Sequence, residues 1–189
     1  MDNGAEYYRQ YLDGNEDAFA ALMDLYRDGL IFYLNRFLRD PALAEDLSED
    51  CFVELIVHPH RYRFTTPLKT YLFSIAHHKM VDVIRRRTRT HTVSVDEMEN
   101  SPELATPFGE VESAVLRSDR DRALYRAMER LAPDYRAVLH LIYFESLSYD
   151  QAARIMHKQR KQIENLAYRG RKALRAALEK EGFSNEIIR

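Results

Sequence analysis

Residues 147–166 read LSYDQAARIMHKQRKQIENL, and this stretch decides the fold of the second half of the chain. Ser148 followed by Gln151 three positions later has the form of a capping box, which starts a helix. A short helix after this box, a turn at His157 and a second helix from about Arg160 complete the pattern. The segment therefore predicts a helix-turn-helix.

Three positions support this prediction, because Ala153 is small where the two helices nearly touch, and Ile163 and Leu166 recur where the second helix packs against the first. His157 stands where such turns usually have Gly, and a left-handed conformation costs a non-Gly residue about 1 kcal/mol. The outward side of the second helix suits base edges and phosphates in a major groove, although two packed helices with a charged surface would give the same pattern. Its residues are Arg160, Lys161, Gln162, Glu164, Asn165, Tyr168 and Arg169.

The first half of the chain predicts three amphipathic helices. Asn15 is the expected cap of the first, Asp40 with Pro41 begins the second, and Pro67 begins the third after a loop at 58–66. Apolar residues recur at steps of three and four along the first helix, which gives one buried stripe. The stripe consists of Phe19, Leu22, Met23, Tyr26, Leu30, Tyr33, Leu34 and Phe37.

Between residues 88 and 109 this periodicity disappears and turn-forming residues take its place. A helix over about 111–130 and another from Pro133 are expected to follow. The predicted fold class is therefore all-α, with two helical domains joined by a flexible acidic linker.

Charge is segregated along the chain, although the net charge is only −2. Residues 61–91 contain eight Lys and Arg and a single acid, and residues 154–175 again contain eight and a single acid. Six acids and no basic residue lie between them, over residues 92–116. Two basic blocks with an acidic spacer indicate two nucleic-acid contacts made by two modules, or else two solvated basic helices.

Several classes of protein are excluded. Cys51 is the only cysteine, so the chain has no intrachain disulfide or multi-Cys zinc site. Its apolar neighbours indicate a half-buried core residue, with a redox sensor as the alternative. No apolar run is long enough to span a bilayer, and the N-terminus lacks the features of a signal peptide, which predicts a cytoplasmic protein.

A metal-dependent hydrolase would have to use the histidines. His77 and His78 are adjacent and cannot share one side of a helix, and no His-Glu-x-x-His spacing occurs. We therefore predict no catalytic residue, no metal and no cofactor, and a protein that is not an enzyme.

Two blocks of the sequence resemble the extracytoplasmic-function sigma factors of the sigma-70 family. The second half resembles their region 4 through LAPDYRAVL at 131–139, FESLSY at 144–149 and YRGRKALR at 168–175. The first half resembles their region 2 through AFAAL at 18–22, AEDLSEDCF at 44–52, LKTYLFSIAHHKMVD at 68–82 and RRR at 85–87. The chain departs from the family where Tyr71 replaces Trp and His78 replaces Asn, both in the part associated with promoter opening.

The resemblance implies that residues 10–90 form region 2, that 91–112 form the linker, and that 113–180 form region 4. Region 2 would bind core RNA polymerase and the minus-ten promoter element, and region 4 would place its second helix in the minus-thirty-five element. The acidic linker would thread towards the RNA exit path, where its charge is hypothesised to mimic RNA.

The resemblance also implies two sets of contacts in region 2. Residues that would bind the clamp helices of the polymerase β′ subunit are Asp46, Leu47, Glu49, Asp50 and Phe52, with Phe52 as apolar anchor or else as a core residue. Residues that would meet the opened minus-ten strand are Arg61, Arg63, Lys69, Tyr71, Ser74, His77, His78, Arg85, Arg86 and Arg87. Arg85, Arg86 and Arg87 would hold the DNA backbone, which contributes affinity rather than sequence choice.

The expected partners are therefore the β′ and β subunits of core polymerase, promoter DNA and an anti-sigma factor. Two alternatives stay open at this point. An ordinary helix-turn-helix regulator would bind duplex DNA without polymerase, and a decoy would bind polymerase without starting transcripts.

Overall fold

The computed structural model describes residues 3–93 and 119–180, and every regular element in these two ranges is helical. The first range contains α1 (Asn3–Leu12), α2 (Glu16–Leu38), α3 (Pro41–Val57), a 3-10 turn (Pro59–Arg61) and α4 (Leu68–Val93). The second contains α5 (Asp119–Glu129), α6 (Pro133–Leu139), a π-helical turn (His140–Phe144), α7 (Tyr149–Ile155) and α8 (Arg160–Lys180). The predicted all-α fold is confirmed.

The helix boundaries follow local chemistry in most places. The side chain of Asp40 accepts a hydrogen bond from the Leu43 backbone N–H at 3.2 Å, and Pro41 occupies the first turn of α3. Arg39 has a left-handed conformation at φ 51°, which ends α2 and turns the chain into α3. The expected cap at Asn15 is wrong in its chemistry, because its side chain makes no capping hydrogen bond even though α2 begins at the next residue.

Helix α1 begins at Asn3, ahead of residue 10 where the first domain was expected to begin. Tyr8 is fully buried, and its hydroxyl donates to the Leu55 carbonyl oxygen at 2.8 Å. Gly4 faces Tyr26 so closely that a Cβ atom there would lie 2.2 Å from the Tyr26 hydroxyl oxygen. Only glycine therefore allows α1 to approach α2 in this way.

Helices α2, α3 and α4 enclose the core of the first half. Large side chains with almost no exposure fill it: Leu22, Leu30, Tyr33, Leu34, Leu55, Leu68, Leu72 and Phe73. Helix α4 continues to Val93, whereas the sequence pattern suggested a loop from residue 88. The rest of the expected linker, together with the start of the helix predicted at 111–130, lies outside the described residues.

The helix-turn-helix forms in the second half as the capping pattern predicts. The Ser148 hydroxyl accepts from the Gln151 backbone N–H at 3.2 Å, and the Gln151 side-chain oxygen accepts from the Ser148 N–H at 2.8 Å. His157 takes the left-handed conformation at φ 51°, as the turn requires. Ala153 and Ile163 are buried where α7 and α8 meet.

The two halves pack directly against each other. The ring of Phe32 in α2 lies 5.4 Å from His140 and 5.7 Å from Tyr125, measured between ring centroids. The guanidinium of Arg136 donates to the Arg36 carbonyl oxygen at 3.0 Å. The second half thus lies over one side of α2 and α4, which determines which candidate residues are accessible.

Candidate nucleic-acid interface

The predicted major-groove residues form one exposed surface on α8. Ile163, Ala167 and Gly170 face the core, so the residues between them point outward. Gly170 makes this packing close, since a Cβ atom there would lie 3.3 Å from the Leu139 side chain. All seven predicted residues are exposed: Arg160, Lys161, Gln162, Glu164, Asn165, Tyr168 and Arg169.

The first cation of this surface is already paired. The guanidinium of Arg160 lies 2.7 Å from an Asp150 carboxylate oxygen and 3.0 Å from Glu164. The Glu164 hydrogen bond and the negative charge of Asp150 raise the pKa of Arg160. A phosphate or a base edge must therefore compete with two carboxylates for the Arg160 side chain. Tyr168, on the same surface, is 64% exposed.

At the loop before α4, side chains alternate between outside and inside. Arg61 and Arg63 are exposed, whereas Tyr62 is buried and Phe64 is half-buried between neighbouring rings. Arg61 also forms an ion pair with Glu54 at the end of α3. The loop therefore presents Arg61 and Arg63 to solvent, while the rings of Tyr62 and Phe64 turn inward.

A groove of about 640 Å³ runs between α3, α4 and the turn of the helix-turn-helix. Four predicted strand-binding residues line it, namely Tyr71, Ser74, His78 and Arg86, and His157 lines it from the second half. The Ser74 hydroxyl donates to the Thr70 carbonyl oxygen at 2.7 Å. The structure thus brings these four side chains together along the α4 wall of the groove.

The arginines at the end of the described part of α4 are exposed, but they differ in what they contact. Arg87 donates to the Leu38 carbonyl oxygen at 3.0 Å and to the Asp40 carboxylate at 3.2 Å. Arg85 lies 3.8 Å from the Asp82 carboxylate. Arg87 therefore stabilises the C-terminus of α2, where a cation is favoured by the helix dipole.

Lys69 is only partly exposed, with 29% of its side chain accessible, and its charge is already paired. Its ammonium lies 2.9 Å from the Glu145 carboxylate and donates to the Glu145 carbonyl oxygen at 2.8 Å. Burial alone would raise the pKa of Glu145, but hydrogen bonds from His140 and Lys69 lower it overall. In this arrangement Lys69 joins the two halves, and it can meet DNA only after leaving Glu145.

His77 also differs from the expected exposed contact. Its Nδ1 atom lies 2.7 Å from the buried Tyr33 hydroxyl. Burial lowers the pKa of His77 to about 4, and the nearby positive charges of His157 and Lys158 add to this. At neutral pH the ring is uncharged and half-buried, so it is a packing residue of α4 in this conformation.

On α3, the predicted polymerase-binding residues divide into two groups. Asp46, Glu49 and Asp50 are exposed, and Leu47 is half-buried. Phe52 is only 2% exposed and packs edge-on against Phe19, which makes it a core residue and not a surface anchor. The helical repeat brings Phe52 onto the side that faces α2, together with Ser48 and Leu55.

Three apolar residues near the end of α3 are exposed, and the sequence analysis missed them. They are Val53, Ile56 and Val57, with exposed fractions of 50%, 47% and 59%. They read as core in the sequence because α3 carries apolar residues on both sides. Val53 lies four positions after Glu49, and this helical spacing is the one signal in the sequence that would have placed the three apolar residues on the acidic side of the helix.

Cys51 is fully buried, and its thiol donates to the Leu47 carbonyl oxygen at 3.1 Å. Burial raises the pKa of the thiol to about 12, which opposes the thiolate that oxidation needs. In the part of the chain that the structure describes, no group of three or more His, Cys, Asp or Glu side chains converges on a metal site. Within residues 3–93 and 119–180, no helix is both long and apolar enough to cross a bilayer.

Known structures share this architecture. The Bartonella quintana sigma factor RpoE, solved in complex with the anti-sigma factor NepR, matches 85% of this chain and 96% of its own with a TM-score of 0.67 at 22% identity. CnrH, solved in complex with the cytosolic domain of CnrY, matches 95% of this chain and 99% of its own with a TM-score of 0.67 at 20% identity. At these identities the likeness shows the fold.

Family comparisons connect the sequence to this architecture. Residues 22–90 match sigma-70 region 2, and residues 121–174 match sigma-70 region 4. The ECF RNA polymerase sigma factor SigW of Bacillus subtilis is 25% identical over 90% of this chain and 94% of its own length. SigM of the same organism is 27% identical over 82% and 91%. With both regions present in order along one helical chain, the protein belongs to the extracytoplasmic-function sigma factors of the sigma-70 family.

Proposed function

We propose that this sigma factor, which directs core RNA polymerase to promoters and is not an enzyme, reads DNA through two separate surfaces. The observation that carries the proposal is the row of exposed polar residues on α8, held behind a capped helix-turn-helix. We assign region 2 to residues 10–90, the linker to 91–112 and region 4 to 113–180.

The major-groove contact is made by the first turns of α8. Side chains such as Gln162 and Asn165 offer paired donors and acceptors to base edges, and Lys161 and Arg169 offer charge to phosphates. Release of Arg160 from Asp150 frees its guanidinium for the same groove. Binding should therefore depend strongly on salt, because each neutralised phosphate releases counterions.

The strand contact is made by the loop and the groove beside α4. Arg61 and Arg63 stand outward for phosphates, and Tyr71 and His78 line a groove in which an unstacked base can rest on an aromatic ring. Lys69 joins this surface when the two halves separate. The arginines at 85–87 extend the cationic path along α4.

The polymerase contact lies on α3. The exposed carboxylates of Asp46, Glu49 and Asp50 steer the helix towards a basic surface, and exposed Val53 and Ile56 supply apolar area beside them. This surface is assigned to the β′ clamp helices, and Phe52 supports it from within the core. The remaining contact with core polymerase is assigned to the β subunit.

Regulation by a separate protein fits the same picture. RpoE of Bartonella quintana was solved with its anti-sigma factor while holding the same architecture as this chain. We infer that an anti-sigma factor binds this protein too, in the cytoplasm, and that it holds the two halves in the packed arrangement.

Run-off transcription with core polymerase tests the proposal, on DNA from upstream of the gene for this protein. New discrete transcripts should appear with the chain and decrease when Lys161 or Arg169 is changed to Ala. Each change should also lower the salt dependence of DNA binding by about one phosphate contact. Arg122→Ala, at an exposed cation on α5, is the matched control.

Two other outcomes would replace the proposal. Tight binding to duplex DNA by the chain alone, without transcripts, would identify an ordinary regulator. Binding to core polymerase without any transcript would identify a decoy.

A further inference from the structure

Helix α1 packs against the loop that carries Arg61 and Arg63. The region 2 match begins at residue 22, so α1 lies outside it. The Tyr8 hydroxyl anchors α1 to the Leu55 carbonyl oxygen at the end of α3, which leaves the next residue, Arg9, beside the loop. The position of α1 is therefore fixed relative to both α3 and the loop.

The loop holds a conformation that its own residues do not favour. Phe64 has φ at 56°, in the left-handed region that a bulky residue rarely adopts. Such a conformation persists only where surrounding contacts impose it. In this loop those contacts are made to the Phe64 side chain.

The contacts to the Phe64 ring come from α1 and from the loop itself. The Arg9 guanidinium carbon lies 4.8 Å from the ring centroid, within the range of a cation–π interaction. The Tyr62 ring lies 4.6 Å away and the Tyr8 ring 6.0 Å away, between centroids. Tyr62 also donates its hydroxyl to the Thr66 carbonyl oxygen at 2.7 Å, which closes the loop.

Side-chain alternation links this support to the DNA surface. The side chains of Tyr62 and Phe64 turn inward, and those of the preceding residues, Arg61 and Arg63, therefore turn outward. If Phe64 left its place, the left-handed residue would relax and the direction of Arg63 would change with it. The Arg9–Phe64 contact therefore bears on where the cations point.

We propose that Arg9 is a positioning residue for promoter opening: from α1 it holds Phe64, and through Phe64 it holds the loop in the form that presents Arg61 and Arg63 to the opened strand. The inference rests on the proposed function of the loop. Arg9 is suited to a test because its side chain is 59% exposed and its ion pair with Glu6, at 3.6 Å, lies within α1.

The experiment uses the full chain with core polymerase on a duplex promoter and measures opening by the permanganate reactivity of unpaired thymines. Arg9→Ala should reduce the rate of opening about two- to fivefold, the range expected for one exposed cation–π contact. Arg9→Lys, which keeps a cation above the ring, should restore much of it. Arg122→Ala should open promoters as the wild type does.

A double-mutant cycle separates positioning from direct contact. In a Phe64→Leu background Arg9 has no ring to hold, so adding Arg9→Ala should cause no further loss. An undiminished loss in that background would overturn the inference in favour of a direct contact between Arg9 and phosphate. Opening by Arg9→Ala at the wild-type rate would overturn it as well.

The wild-type reaction keeps the two proposals apart. If the wild type opens promoters normally and Arg9→Ala opens them at the same rate, only the proposed role of α1 is refuted. A wild-type chain that binds core polymerase and opens no promoter would refute the proposed function, and the inference with it.

Discussion

The burial of His77 makes the stability of the protein depend on pH between about 4 and 6.5. The pKa of His77 is about 4 in the folded chain and 6.5 when the ring is freely solvated. As the pH falls between these values, the unfolded chain takes up a proton that the folded chain refuses. The free energy of unfolding is therefore highest above the pKa that His77 has in the unfolded chain. It decreases as the pH is lowered towards the pKa of His77 in the folded chain.

The size of the effect follows from these two values. Proton linkage with one such group predicts a loss of about 2 kcal/mol in the free energy of unfolding between pH 7 and pH 5. Burial also lowers the pKa of His140, which lies in the packed interface and titrates with the same sign. The pKa of Glu145 is lowered, so its contribution is lost only at more acidic pH.

Urea unfolding of the whole chain, followed by circular dichroism at pH 7 and at pH 5, measures this difference. His77→Gln keeps a polar partner for the Tyr33 hydroxyl but cannot gain a proton in this range. Its free energy of unfolding should therefore change about 2 kcal/mol less between the two pH values than that of the wild type.

The change at exposed His78 provides the control. His78→Gln makes the same substitution at the neighbouring residue, whose ring is exposed beside Asp82 at 3.7 Å instead of packed on Tyr33. An equal pH dependence for wild type and His77→Gln would refute the reasoning, since it would show that the His77 ring is protonated in the folded chain as readily as in water.

Three further predictions concern the packed interface, the helix-turn-helix and α3. Glu145→Gln leaves the half-buried ammonium of Lys69 without its counter-ion and should weaken the contact between the two halves by about 1–2 kcal/mol, which small-angle scattering would detect as expansion; an unchanged radius of gyration would contradict this. Ser148→Ala removes the cap of α7 and should cost about 1 kcal/mol in thermal unfolding, whereas Ser148→Asp should keep the stability, and equal losses in both would argue against capping. Phe52→Ala should lower the free energy of unfolding in urea by about 3–5 kcal/mol. Val53→Ala should leave stability nearly unchanged and weaken binding to core polymerase. The reverse pattern would restore Phe52 as the anchor.

The helix-turn-helix was predictable from sequence because its determinants are local. A capping box joins residues three positions apart, and the turn at His157 involves the residues next to it. The same holds for the Asp40–Pro41 start of α3. The exposed row on α8 then follows from the helical repeat once Ile163 is placed in the core.

Other features escaped because their signals are weak or nonlocal. Helix α1 is ten residues long and buries only Gly4 and Tyr8, so it shows little periodicity. The end of α4 runs through residues that are polar on every side, which resembles a loop in sequence. On α3, apolar residues on both sides of the helix hide which side faces α2.

The sequence by itself determined that the chain is helical, where its best-capped helices begin, and that a basic helix follows a tight turn, since these depend on neighbours within one or two turns of helix. Only the tertiary structure decided that Phe52 is core while Val53 is exposed, that His77 is neutral against Tyr33, and that Lys69 is paired with Glu145. The physical reason is separation along the chain: His77 and Tyr33 lie 44 positions apart and Lys69 and Glu145 lie 76 apart. No local pattern encodes such contacts, because burial and charge pairing arise only when distant helices pack.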